Sequence, residues 1–257
     1  MGHLFRGLLV AASTLAMALG ADAAEVHVMI SGGFSAAYKE LVPAFEKATG
    51  NTVITAYGPS MGETPQAIPM RLSRNEPADV LIMVGYALED LVTKGKVVAT
   101  SRVDLADSLI AGAVKAGTPK PDISTPDALK ATLLAAPTIA YSDSASGVYI
   151  STEMFKKLGI VEQMQGKARK IPATPVGEVV ARGVAALGFQ QLSELKPVEG
   201  IDIIGPLPPS LQQITVFSAG LSSSAPQPDA GKALIAFLSS AQAAPVMIRT
   251  GLDPKVK

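Results

Sequence analysis

The chain has 257 residues, 48% hydrophobic and 17% charged, with 22 Lys plus Arg against 22 Asp plus Glu. That length allows one large domain or two of about 100–130 residues each, with a real core either way, and the even charge argues against nucleic acid or an anionic membrane as partner. Having no Cys and only two His, His3 and His27, it excludes disulfides, thiolate or histidine-rich metal sites, a Cys nucleophile and most triad chemistry.

Residues 1–23 read as a secretory signal peptide. Arg6 supplies the positive start, Leu8 to Leu19 is a run of 12 apolar and small residues, and Ala21-Asp22-Ala23 is an A-x-A cleavage site. Such a run is too short for a bilayer core of roughly 30 Å, and no later one is long enough either. The lipoprotein route needs a Cys and is closed. The mature chain is therefore expected to be periplasmic, neutral and not inserted in a membrane.

The mature chain alternates strands and helices. Val26 to Ile30 reads as a strand, followed by a helix with apolar positions at Phe34, Tyr38, Leu41, Val42, Phe45 and Ala48 that Gly50 ends. Thr52 to Tyr57 is a second strand, Thr64-Pro65 an N-cap and first-turn proline opening a helix, and Asp79 to Val84 a third strand. This β-α-β-α-β order predicts a parallel sheet with helices on both faces. Further on, Thr125-Pro126-Asp127 caps a helix to about Ala136, Thr138 to Tyr141 is a strand, and a helix runs from Val148 to Leu158. Next come a helix at Gly177 to Leu187, strands at Gly188–Gln191, Ile201–Ile204 and Ile214–Ser218, and helices at Asp229–Ser239 and Ala243–Arg249. Gly205 to Pro209 reads as a hinge or lobe edge.

Four loops rich in Gly, Ser and Thr precede helix starts: Ser31 to Ser35, Gly58 to Thr64, Ser142 to Gly147, and Thr174 to Gly177. In open α/β sheets, loops at the carboxyl ends of strands form the ligand crevice. Helix N-termini there offer free N–H groups, each worth about 0.3–1 kcal/mol toward an anion. Several converging together would hold an anion without net positive charge; taken singly, each is an ordinary turn and cap.

The run Val26-His27-Val28-Met29-Ile30-Ser31-Gly32-Gly33-Phe34-Ser35 resembles the type 2 periplasmic solute-binding proteins, in the branch of the molybdate transporter's binding protein. Glu76-Pro77-Ala78-Asp79-Val80, Ser144-Ala145-Ser146-Gly147-Val148-Tyr149 and Leu187-Gly188-Phe189 extend the resemblance over the mature chain. It implies an α/β, two-lobed fold, each lobe a mostly parallel sheet flanked by helices, with an anion clamped between. Lobe one would comprise 24–105 plus 215–257 and lobe two 106–214. The family's first serine falls at Gly33, with Ser31 and Ser35 beside it, and its second at Ser60. Its backbone donors fall at Ser146 and Gly147 and at Val176, and its tyrosine at or near Gln191. One hydroxyl and the tyrosine are thus replaced. The amides of Gln190 and Gln191 suit an organic carboxylate better than a compact tetrahedral anion.

Other residues read two ways. His27 is expected in the core, away from the ligand end of its strand. Arg71 either snorkels at the surface or grips a carboxylate. Glu63 and Glu178 complement helix starts or act in the site. Tyr57 and Tyr149 flank binding loops or pack at the rim, and Arg182 is expected in solvent.

These features lead to an exported, monomeric receptor that passes a small anion to an inner-membrane ABC permease, with no cofactor and no metal. The other reading is an enzyme, since the broad family also includes a periplasmic aconitate isomerase. Moving a tricarboxylate's double bond needs a proton carried between two carbons, which one carboxylate or Tyr in a dry cleft can do. No pattern in the sequence identifies that base.

Overall fold

The computed structural model describes residues 23–172 and 174–255. The signal segment therefore lies outside the described residues, apart from Ala23.

The chain opens as β1 (Glu25–Ile30), α1 (Gly32–Thr49), β2 (Thr52–Tyr57), α2 (Ile68–Ser73), β3 (Val80–Val84) and α3 (Gly85–Thr93). β1 lies between β2 and β3, parallel to both. Phe34, Tyr38, Leu41 and Phe45 form one buried stripe of α1 against this sheet. Gly50 ends the helix at φ 75°, a left-handed conformation in which its N–H returns to the Glu46 carbonyl at 2.8 Å. The continuous run Val80 to Val84 is wholly buried, as a central strand covered on both faces must be.

β4 (Val103–Ser108) completes its place in this first sheet, and only Leu109 separates it from β5 (Ile110–Lys115) in a second sheet. The second half continues through α4 (Pro126–Ala135), β6 (Ile139–Ser142), α5 (Ala145–Tyr149), α6 (Phe155–Lys157), α7 (Val161–Met164) and β7 (Ala168–Ile171). It ends with α8 (Val176–Ala181), β8 (Leu187–Gln191), α9 (Leu192–Leu195) and β9 (Ile201–Pro206). Residues 207–214 return the chain to the first sheet as β10 (Thr215–Leu221), followed by α10 (Pro228–Leu238), α11 (Ala244–Arg249) and β11 (Leu252–Pro254). The strand orders are β11-β4-β10-β3-β1-β2 and β7-β6-β8-β5-β9. Each sheet keeps a parallel trio and adds antiparallel strands beside it. Each also has its own apolar cluster.

Gln212 ties the two crossings together: its Oε1 accepts the Ile110 N–H at 2.9 Å and its Nε2 donates to the Ile110 carbonyl at 3.0 Å. Gly205 and Pro206, in the stretch expected to form a hinge, close β9 directly before the return crossing.

Several expected elements shift. The helix expected at Thr64-Pro65 begins only at Ile68, because Thr64 spends its carbonyl on the Ala67 N–H in a turn. The helix expected from Val148 begins at Ala145, so Ser146 and Gly147 lie in its first turn; it passes through a π-turn at Ile150–Met154 into α6. The helix expected to reach Leu187 stops at Ala181, since Gly183 turns left-handed at φ 73° and Leu187 starts β8. His27 is not a core residue: its side chain is 27% exposed and its Nε2 lies 3.2 Å from Glu25.

Asp79 explains the Glu76-Pro77-Ala78-Asp79 segment. Fully buried, it accepts the His27 N–H at 2.8 Å and the Gln227 N–H at 2.5 Å, joining β1, β3 and the entry to α10. Asp79→Ala should cost about 2–4 kcal/mol in urea unfolding, since it orphans two N–H groups. Ligand affinity of the folded variant should be unchanged, because Asp79 lies at the opposite end of β3 from the cavity.

Candidate functional site

A cavity of about 350 Å³ opens between the two sheets, at the carboxyl ends of β1, β2 and β3 on one side and of β6 and β8 on the other. The first half contributes Ser31, Gly33, Ser35, Tyr57, Ser60 and Phe217; the second contributes Ser142, Asp143, Ser144, Gln190, Gln191 and Glu194. The lining is dominated by neutral groups, with carboxyls at Asp143 and Glu194.

The hydrogen bonds show which groups remain free. Ser31 is the buried N-cap of α1, yet its hydroxyl caps no N–H and has no partner. Ser60 Oγ accepts the Val84 N–H at 3.0 Å, which leaves its own proton to donate. Ser35 gives its proton to the Ser31 carbonyl at 3.1 Å. Gln190 Oε1 accepts the Val176 N–H at 2.8 Å. Gln191 places Nε2 2.8 Å from Thr215 Oγ1 and leaves its other amide atom, Oε1, unpartnered. Turned over, that amide would accept from the Thr215 hydroxyl and leave its NH₂ for an anion.

Six of the nine expected positions line the cavity: Ser31, Gly33, Ser35, Ser60, Gln190 and Gln191. Ser146, Gly147 and Val176 stand behind the lining. Ser146 Oγ lies 2.9 Å from Ser142 Oγ and supports that loop. Gly147 is required by packing, as a Cβ there would lie 1.6 Å from the Ser142 carbonyl. The Val176 N–H, expected to meet ligand, is consumed by Gln190. Arg71 grips a carboxylate, but within the protein: Nη1 donates to Glu76 at 2.6 Å and Nε to the Gln66 carbonyl at 3.1 Å. With Arg74 it holds the Glu76 carboxyl below the usual range. The Tyr149 hydroxyl donates to the Leu211 carbonyl at 2.8 Å and Tyr149 is not in the lining, whereas Tyr57 is. Glu63 is exposed and outside the lining. Glu178 and Arg182 pair at 3.8 Å in an adjoining groove.

Gly33 fills the position where the resemblance places a serine, and the structure gives a steric reason. A Cβ there would lie 2.1 Å from the Phe217 ring, which occupies the side-chain space. Gly33→Ala should destabilise by about 1–3 kcal/mol through overpacking. Combining it with Phe217→Leu should cost less than the two single losses added, as read in a double-mutant unfolding cycle.

Glu194 was not singled out by the sequence. α9 is only four residues long and a lone Glu forms no pattern, although it lies three residues past Gln191 at a cavity-facing strand end. Burial pushes its carboxyl up from 4.5 to about 7; a hydrogen bond from the Gln190 amide opposes this and the Asp143 charge adds to it. Between these two values the folded protein keeps a proton that the unfolded chain releases, so stability falls as pH rises from 4.5 to about 7. The loss is on the order of 3 kcal/mol at most, moderated by the solvent that the cavity admits. Glu194→Gln should flatten this part of the stability–pH curve, as measured by thermal unfolding between about pH 4 and 8.

Two α/β sheets joined by two crossings, with a cavity of mostly neutral donors at their strand ends, define a protein of the periplasmic-binding-protein fold. Residues 26–253 match the family described as bacterial extracellular solute-binding protein, and the chain belongs to that family. It is 52% identical to an aconitate isomerase from Pseudomonas sp over 248 residues, 96% of this chain and 94% of the relative. It is 30% identical to the molybdate-binding protein ModA of Azotobacter vinelandii over 193 residues, 73% of each chain. The solved periplasmic molybdate-binding protein of Azotobacter vinelandii superposes with a TM-score of 0.70 at 20% identity, covering 88% of this chain and 98% of that one.

Proposed function

We propose that the protein is an exported aconitate isomerase, holding the tricarboxylate between two lobes while a proton moves between its two allylic carbons. The observation that carries this reading is the 52% identity to an aconitate isomerase, sustained over 96% of the chain. The cavity agrees with it. At about 350 Å³ it has more room than a compact tetrahedral anion uses, and Gln190 and Gln191 offer amides to carboxylates. In this reading lobe one is 24–105 plus 215–257 and lobe two 106–214. Ser31, Gly33 and Ser60 anchor carboxylates from the first lobe, and Gln191 from the second. The protein works in the periplasm as a monomer, after loss of residues 1–23.

A receptor that hands its anion to an ABC permease is the second reading, favoured by the solute-binding family and by the 30% identity to ModA. Turnover separates the two. Wild-type protein incubated with trans-aconitate in deuterated water should form the cis isomer, with solvent deuterium in the fraction whose carried proton exchanges before its return. Ser60→Ala and Gln191→Ala should each weaken binding by about 1–3 kcal/mol in calorimetry. Binding of aconitate with neither product would overturn the isomerase and leave the receptor. Stabilisation by molybdate, with no response to carboxylates, would reverse the assignment of ligand.

A further inference from the structure

The cavity wall holds one carboxyl placed differently from every other titratable group near it. Glu194 stands on α9 of the second half, yet its carboxyl reaches the first turn of α1 in the first half. A Cβ built on Gly32 would lie 2.2 Å from Glu194 Oε1, so the missing side chain of Gly32 is what admits the carboxyl. The neighbouring Ser193 hydroxyl donates to the Gly33 carbonyl at 2.6 Å and fixes α9 on the same turn. With Gly32, Ser35 and Pro175, Glu194 borders both the cavity and the adjoining groove and is the titratable member of the partition between them. Next to it on the cavity side, the Ser31 hydroxyl has no partner and is free to hold a ligand carboxylate.

Resting on the isomerase reading, we propose that Glu194 is the proton-transfer group, taking a proton from the methylene carbon of aconitate and returning it to the former vinyl carbon. In the first step a methylene C–H bond breaks and a Glu194 O–H bond forms. The C–H electron pair becomes the new C=C, and the old π pair moves onto the former vinyl carbon and its carboxylate. In the second step the O–H breaks and that carbon takes the proton. Nothing is oxidised or reduced, and no co-reactant is needed. The two ends of the molecule exchange roles, and the geometry of the new double bond sets cis or trans.

The groups facing Glu194 fit this role. Asp143, from the loop after β6, places negative charge nearby and Gln190 donates a hydrogen bond, while Lys39, Glu178, Arg182 and Glu199 line the groove behind. Beside Glu194 and Asp143, Tyr57 is the third titratable side chain on the cavity wall; it is 44% exposed, and burial of its ring raises its pKa, which keeps it protonated. Burial pushes the Glu194 carboxyl up to about 7, a range in which a carboxyl both accepts and gives up a proton readily. Because the carboxyl comes from one half and the anchoring hydroxyl from the other, proton transfer requires the two halves to be in contact. Ser193 is then a positioning residue.

The test follows deuterium uptake and cis-product formation from trans-aconitate across pH, with thermal stabilisation by trans-aconitate as the binding readout. In the wild type, kcat/KM should rise with pH through an inflection near 7, the free-protein value of the carboxyl. The inflection in kcat should lie higher, because bound carboxylates add negative charge beside the group. Glu194→Gln should keep the stabilisation and lose roughly 100-fold or more in rate. Ser193→Ala should lower kcat more than it raises KM. A Glu194→Gln protein that binds and turns over at near the wild-type rate overturns the assignment of Glu194 and leaves the isomerase standing. Wild type that binds but forms neither product overturns the isomerase, and the assignment with it. Should the variant not fold, a wild-type kcat/KM without an inflection between about pH 6 and 8 overturns the assignment by itself.

Discussion

The two halves of the molecule meet at a pair of glycines. Ser193 Oγ lies 2.6 Å from the Gly33 carbonyl, and the Glu194 carboxyl takes the space that a side chain on Gly32 would fill. Gly33, in turn, leaves room for the Phe217 ring, which closes the cavity from the side of β10. A side chain at either glycine would force apart groups that have to touch. The burial that raises the Glu194 pKa follows from that close approach. The second requirement is that the crossings be held, which the Gln212 side chain does by pairing with both polar backbone groups of Ile110.

Among the described residues, no Lys or Arg lines the cavity. Arg71 and Arg74, which follow the second binding loop, are spent on Glu76 and on backbone carbonyls. The hydroxyls of Ser60 and Ser31 are left available on the cavity wall, with the start of α1 behind Ser31. Two carboxyls in such a lining oppose a polyanionic ligand. A receptor gains nothing from that. An enzyme that must lift a proton from carbon does, because burial and the Asp143 charge bring Glu194 to about 7.

Much of this fold was legible from periodicity. The sequence predicts β2 at its observed bounds, the stripe on α1 and its Gly50 stop, and the Thr125 cap, where Oγ1 accepts the Ala128 N–H at 3.1 Å. The strands it does not reveal have weak patterns. β4 carries Asp104 and Asp107 on a strand that nevertheless pairs on both sides, and β5 is built of small residues whose partners lie far along the chain. The loops holding Ser31 and Ser60 could be read because loops at strand ends have a fixed place in α/β folds, whereas Gln191, the last residue of β8, was indicated by the family resemblance alone. What could not be read was which donors the protein spends on itself: the Val176 N–H goes to Gln190, and Gly147 serves packing. Glu194 was hidden for the same reason, since its role depends on Gly32, 162 positions earlier in the sequence.

The most direct test is a crystal structure with propane-1,2,3-tricarboxylate, the saturated analogue of aconitate, which has no double bond to move. The account predicts this ligand in the cavity between the sheets, with one carboxylate on the Ser31 hydroxyl and another near the Gln191 amide. A methylene carbon should lie about 3–3.5 Å from a Glu194 oxygen, the separation of a group poised for transfer. A ligand bound elsewhere, or one that turns a carboxylate rather than a methylene toward Glu194, would contradict it.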